Sequence, residues 1–185
     1  MTRIAIIIGS TRPGRQADTI AQWVQRHASD RSDATYELID IASFDLAHLN
    51  EPIPAMAGAY EHPHTHAWSA TIASFDGFVF VTPEYNRSIS GALKNAIDFL
   101  YAEWNNKAAG FVSYGVEGGT RAVEHLRLIA AELKLADVRN QVAVSLFTDV
   151  SNGEVVDNDR QTGQLHEMLD DVAWGEALRT LRTAT

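Results

Sequence analysis

Three short segments of this 185-residue chain concentrate the residue types that handle small anionic or planar ligands. The first is Gly9-Ser10-Thr11-Arg12-Pro13-Gly14-Arg15-Gln16-Ala17. It carries two hydroxyls and two guanidinium groups, and it leads into a helical repeat of Ala17, Ile20, Ala21 and Val24. The free N–H groups and dipole of a helix start favour phosphate, and arginine adds charge-assisted hydrogen bonds. Gly9 and Gly14 have P-loop spacing, but Arg15-Gln16 stands where a Lys-Ser/Thr pair must follow, so ATP or GTP hydrolysis is not expected. The Gly-x-Gly-x-x-Gly of dinucleotide folds is missing too, and the single phosphate of a mononucleotide fits better.

The second segment is Thr82-Pro83-Glu84-Tyr85-Asn86-Arg87-Ser88-Ile89-Ser90-Gly91. Its tyrosine can wall one side of a planar ligand, and peptide groups can read a polar ring edge. Ser88 and Ser90 are both candidate N-caps for the helix that follows. The third is Ser113-Tyr114-Gly115-Val116-Glu117-Gly118-Gly119-Thr120, where the glycines let backbone approach a ligand closely. Each segment also reads as an ordinary turn: a polar loop with surface arginines, a proline-initiated turn with capping serines, a flexible glycine turn.

The elements around them alternate. Ile4 to Ile8 is a continuous β-branched apolar run, the pattern of a strand buried on both faces. Further strands are expected at Ala34 to Ile41, Phe78 to Val81, Ala108 to Tyr114 and Gln141 to Phe147. Helices are expected from Ala17, over Thr65 to Phe75, over Ser90 to Tyr101, along Val123, Leu126, Ile129, Ala130 and Leu133, and along Leu165, Met168, Leu169, Val172 and Leu178. Phe44 to Pro63 reads as one long loop. Five strand–helix pairs imply a three-layer α/β fold, a parallel sheet with helices on both faces. Right-handed crossovers and five strands favour the order 2-1-3-4-5. Ligands then bind outside the carboxyl ends of strands 1, 3 and 4, where the three unusual segments fall.

Composition narrows the function. The formal net charge is −9, which disfavours nucleic acid. There is no cysteine, so disulfides, thiolate nucleophiles and Cys-based metal sites drop out. No apolar run is long enough to span a membrane, and no signal peptide is recognised, so a cytoplasmic protein is expected.

Gly9-Ser10-Thr11-Arg12, Pro83-Glu84-Tyr85-Asn86 with Leu93-Lys94-Asn95-Ala96-Ile97-Asp98, and Ser113-Tyr114-Gly115 to Gly118-Gly119 together resemble the NADPH-dependent FMN reductase family. The likeness covers about residues 3 to 150. It implies one flavodoxin-like FMN-binding domain over residues 1–185, bound FMN, and a homodimer or homotetramer. It implies ping-pong hydride transfer from NADPH or NADH through the flavin N5 to a small acceptor: free flavin, quinone, azo compound or metal oxyanion. Carried over by position, Ser10, Thr11, Arg12, Arg15, Gln16 and Ala17 would hold the phosphate. Pro83, Glu84, Tyr85 and Asn86 would contact the ring, and Ser113, Tyr114, Gly115, Gly118 and Gly119 its other edge. Many relatives have serine at Arg15, and often glycine at Arg87 and proline at Ser90. Arg15 and Arg87 are the cations that could meet a 2′-phosphate of the reductant.

On this reading the flavin carries the chemistry, so no catalytic side chain and no metal is expected. A flavodoxin-type electron carrier docking protein partners is the alternative. A phosphoacceptor domain shares the strand order but needs acidic residues after the first strand, where Gly9-Ser10 stands. His62, His64 and His66 alternate beside Pro63 and read as a solvated loop. Phe99, Tyr101 and Trp104 read as core or as an oligomer contact; the resemblance favours the contact, with residues Glu103 to Lys107 near a subunit boundary.

Overall fold

The structure is a computed structural model describing residues 1–183, without the side chains of positions 176, 178, 182 and 183. Five parallel strands form the central sheet: β1 Thr2–Ile8, β2 Ala34–Asp40, β3 Gly77–Pro83, β4 Ala108–Gly115 and β5 Ala136–Ser145, in the order β2-β1-β3-β4-β5. The helices are α1 Ala17–Ala28, α2 Pro63–Ala73, α3 Gly91–Asp98, α4 Thr120–Glu132 and α5 Asp159–Thr183. A small antiparallel hairpin, β6 Val150–Ser151 with β7 Glu154–Val155, precedes α5. This is the flavodoxin-like arrangement.

Strand alternation divides the core. Ala5, Ile7, Phe78, Phe80 and Phe111 face α2, α3 and α4. Ile4, Ile6, Ile8, Val79, Val81 and Val112 face α1 and α5. Every residue of β3 is buried, as a strand covered on both sides requires.

Trp104 corrects one expectation. It is fully buried among Phe78, Phe80 and Trp68, at ring separations of 4.9, 5.9 and 6.1 Å, and its indole N–H donates to Ile97 O at 3.2 Å. It is a core residue of one protomer, so it cannot anchor a subunit contact. Phe99 is likewise fully buried.

Two boundaries differ from the sequence reading by three residues or more, and one hairpin is added. The third helix ends at Asp98, three residues before Tyr101, and tight turns follow. The fifth strand begins at Ala136 rather than Gln141, with a register shift between Ala109 and Phe111 on its neighbour. Its polar Arg139 and Asn140 hide an edge strand, one face of which meets solvent. The β6–β7 hairpin went unread although its Asn152-Gly153 turn, both residues at positive φ, is a recognised hairpin signal. Leu178 falls outside the described side chains.

The long connection after β2 is strapped down. The Asn95 side chain accepts from Leu49 N at 2.9 Å and donates to Ala47 O at 2.7 Å. The Glu51 carboxylate accepts from the N–H groups of Glu61 and His62 at 2.8 and 3.1 Å. The three histidines are not a solvated loop, because Pro63 starts a helix: His62 is the N-cap of α2, and His64 and His66 lie in its first turn, His64 packing edge-on against Phe99 at 5.4 Å. Among the described residues, no cluster of His, Asp and Glu is spaced to hold a metal, and no helix is long and apolar enough to cross a membrane.

Candidate functional site

The loops after β1, β3 and β4 meet at the carboxyl end of the sheet, and hydrogen bonds weld them into one surface. The first joins β1 to α1. Gly9 donates its N–H to Val81 O at 2.8 Å, and a Cβ there would lie 2.7 Å from that oxygen, so only glycine lets β1 and β3 run this close. The Ser10 hydroxyl lies 3.3 Å from the Tyr85 hydroxyl, and Arg12 Nε donates to the same Tyr85 oxygen at 3.1 Å. The first and second loops therefore touch through Ser10, Arg12 and Tyr85.

Arg15 behaves differently from Arg12. Its guanidinium meets Asp40 with Nη1 at 3.0 Å and Nη2 at 2.6 Å, and Asp18 with Nε at 3.0 Å and Nη2 at 2.8 Å. Nη1 also donates to the Ser10 carbonyl. The hydrogen bonds to Asp40 hold the guanidinium well above its usual pKa range. With both carboxylates spent on it, Arg15 is a strut bracing the loop against the end of β2. Arg12 has no carboxylate partner among the described residues.

Gln16 is the N-cap of α1 without a side-chain cap bond, and its Oε1 is buried with no partner. Ala17 is buried as the first helical residue. The opening N–H groups of α1 have no intrahelical acceptor and face the loop. Thr11 is exposed and lines a neighbouring cavity of about 600 Å³ with Ile41, Leu46, His48 and Asn95.

In the second loop, Tyr85 and Ser88 exchange backbone hydrogen bonds at 2.9 and 3.1 Å around Asn86 and Arg87, whose φ values are 50° and 69°. Two consecutive left-handed residues make a type I′ hairpin turn, which presents Tyr85 on a rigid mount. The Ser88 hydroxyl is 2.9 Å from His125 Nδ1 of α4. Pro83 ends β3, paired with Tyr114. Glu84 donates its N–H to Tyr114 O at 3.0 Å, while its carboxylate accepts from Arg121 N at 3.2 Å and Arg121 Nη1 at 2.7 Å. An acidic group over the first turn of α4 complements the helix dipole. Glu84 thus joins the second loop to the third.

Ser90, not Ser88, is the N-cap of α3. Its hydroxyl accepts from Leu93 N at 3.0 Å and donates to Gly9 O at 2.6 Å. Ser90→Ala removes a cap worth about 1 kcal/mol and leaves a buried carbonyl unpaired at about 1–2 kcal/mol. A stability loss of about 2–3 kcal/mol is expected in urea unfolding. A loss below about 0.5 kcal/mol would show that water replaces both bonds.

In the third loop the Ser113 hydroxyl donates to Gly118 O at 2.8 Å, and Gly118 and Gly119 are both left-handed. Gly115 O accepts from Gly118 N at 3.3 Å and from Leu146 N at 3.0 Å. Tyr114 points to the α1 and α5 face of the sheet, beneath the first loop. Its hydroxyl approaches Ser10 without completing a hydrogen bond and is left buried and unpartnered. Desolvation raises its pKa above the ordinary phenol range, so it stays a neutral donor.

Several residues went unread in the sequence. Asp40 was findable, because the expected strand order puts the end of β2 beside the first loop. Arg121 and His125 carried no signal, since only the packing of α4 against the hairpin brings them to Glu84 and Ser88.

The model of the NADPH-dependent FMN reductase family matches residues 2–149. An NAD(P)H-dependent FMN reductase of Schizosaccharomyces pombe is 40% identical over 157 residues, covering 84% of this chain and 78% of that protein. A quinone reductase of Escherichia coli is 32% identical over 197 residues, covering 97% of each. Among solved structures, the flavoenzyme NAD(P)H:(acceptor) oxidoreductase FerB of Paracoccus denitrificans superposes with a TM-score of 0.73 at 23% identity, covering 96% of this chain and 98% of that one.

Proposed function

The chain belongs to the NADPH-dependent FMN reductase family, and on that premise we propose that its three welded loops hold FMN for electron transfer from NAD(P)H to a small flavin or quinone acceptor. It is an FMN-dependent NAD(P)H oxidoreductase. The observation that carries the site assignment is the meeting of Ser10, Arg12 and Tyr85 beside the open start of α1.

The residues present fit the group. A phosphate at the α1 start meets N–H donors, the Ser10 and Thr11 hydroxyls, and the Arg12 cation. The unpartnered hydroxyl of Tyr114 is a donor still wanting an acceptor there. Pro83 to Asn86 offer peptide edges and the Tyr85 ring to a planar system, and Ser113 to Gly115, Gly118 and Gly119 offer backbone close to its far edge. When bound, FMN supplies acceptance of a hydride and its onward delivery as electrons.

The chain's own groups bind and orient. Arg12 neutralises phosphate charge. Glu84 and Arg121 lock the second loop to the third, so that the ring's two edges are held by one rigid body. The Ser145 hydroxyl donates to Val116 O at 3.2 Å and accepts from Phe147 N at 3.3 Å. The exposed apolar residues Val116 and Phe147 are thereby tied through their backbones to Ser145 at the end of β5. The same reading carries the expectation of a cytoplasmic enzyme of two or four subunits, tested by fractionation and light scattering.

The decisive experiment adds FMN to purified protein, desalts it and records its spectrum before and after anaerobic NADPH. Retained bands near about 375 and about 450 nm that bleach are expected of a reductase. Retained bands that neither nucleotide bleaches would favour an electron carrier. Arg12→Ala should weaken FMN binding about 5–10-fold, the loss of one exposed charge-assisted hydrogen bond of about 1–1.4 kcal/mol. An unchanged dissociation constant in a fluorescence titration would remove Arg12 from the phosphate site.

A further inference from the structure

Four arginines stand on or beside the three loops, and three are engaged. Arg15 is held by Asp40 and Asp18, Arg121 by Glu84, and Arg12 by the Tyr85 hydroxyl. Arg87 has no hydrogen bond or ion pair among the described residues and is exposed at the tip of the hairpin that presents Tyr85. In a chain of net charge −9 most cations can find a carboxylate, and among the described residues Arg87 pairs with none.

Its backbone makes the position costly. Arg87 has φ 69°, a left-handed conformation that disfavours any residue with a Cβ. Strain of this kind in a binding surface points to a role for the side chain. The mount is rigid: the Tyr85–Ser88 bonds close the turn, Ser88 is tied to His125, and Glu84 is tied to Arg121. The backbone that carries Arg87 is therefore fixed next to Tyr85, and the guanidinium extends from it with its donor fork open to solvent.

We propose that Arg87 is a specificity-determining residue that grips a phosphate of the nicotinamide dinucleotide as it enters the site. The inference rests on the reductase reading. The guanidinium fork matches phosphate geometry, and an unpaired arginine need not break an ion pair to engage it. Two phosphates share this chemistry, the pyrophosphate of either nucleotide and the 2′-phosphate of NADPH.

The test is anaerobic stopped-flow reduction of the FMN-loaded protein by NADPH and by NADH, in wild type, Arg87→Gly and Arg87→Lys. Glycine relaxes the left-handed turn, so folding is not at issue. Arg87→Gly is expected to raise the apparent dissociation constant for NADPH about tenfold, the scale of one charge-assisted contact, while the limiting reduction rate stays within about twofold. Arg87→Lys should restore part of the loss, and added salt should weaken wild type more than Arg87→Gly. An equal loss for NADH assigns the contact to the pyrophosphate; a loss confined to NADPH assigns it to the 2′-phosphate. Unchanged constants for both nucleotides, or a change only in the acceptor's KM, overturn the proposal. A wild-type flavin that neither nucleotide reduces defeats the reductase reading itself, and the inference falls with it.

Discussion

Gly119→Ala should lower stability by about 3 kcal/mol and weaken FMN binding at least about tenfold, through left-handed strain and overpacking together. Gly119 caps α4 at φ 75°, where an added Cβ would lie 2.8 Å from both the N and O of Tyr114 and 2.9 Å from Ser113 Cβ. Two of those contacts are backbone atoms of β4, which pairs with β3 on one side and β5 on the other and cannot yield. Placing a non-glycine residue in this conformation costs about 1–2 kcal/mol, and forcing atoms into a packed site costs about 1–3 kcal/mol. The strain has one outlet, displacement of the third loop from the Glu84–Arg121 weld. Urea unfolding and a flavin fluorescence titration measure the two effects separately. A destabilised variant with wild-type FMN affinity would show that the third loop does not meet the cofactor.

The second large effect is in the core. Trp104→Ala should cost about 3–5 kcal/mol, the range for removing a large buried aromatic. The indole fills the space between α2 and the sheet, against Trp68, Phe78 and Phe80, and its N–H satisfies Ile97 O near the end of α3. Truncation leaves a cavity walled by aromatic rings, which do not collapse easily. It also strips a partner from a buried carbonyl. A thermal or urea unfolding curve measures the loss, and unchanged subunit number by light scattering is expected alongside, because Trp104 reaches no outer surface. Dissociation without loss of protomer stability would return it to an interface role.

Much of this molecule is legible in one dimension. Ile4 to Ile8 and Phe78 to Val81 are unbroken apolar runs because both faces of those strands are buried. The strand order followed from five strand–helix pairs and the handedness of their crossovers. The three loops stood out because their chemistry needs unusual composition: glycine where backbones approach, serine and arginine at a helix start, tyrosine at a strand end. Loss of signal was equally physical. Arg139 and Asn140 masked the start of β5, since an edge strand need not be apolar on both faces. Trp104 reads equally as core or as an oligomer contact, because an aromatic beyond a helix end has the same local sequence whether it turns inward or outward; the resemblance favoured the contact, and burial decides for the core.

The sequence by itself determined the layers, the strand order, the family and the three segments from which a cofactor site must be built, because periodicity and backbone permissiveness are local properties. Only the tertiary structure decided which charges are free to act. Arg12, Arg15, Arg87 and Arg121 are alike in one dimension. They part ways because the end of β2 brings Asp40 to Arg15, the loop after β3 brings Glu84 to Arg121, and the hairpin sets Tyr85 beside Arg12 while Arg87 meets no carboxylate among the described residues. The Arg15–Asp40 and Arg121–Glu84 pairs span 25 and 37 residues of chain, and such distances exist only once the sheet has formed.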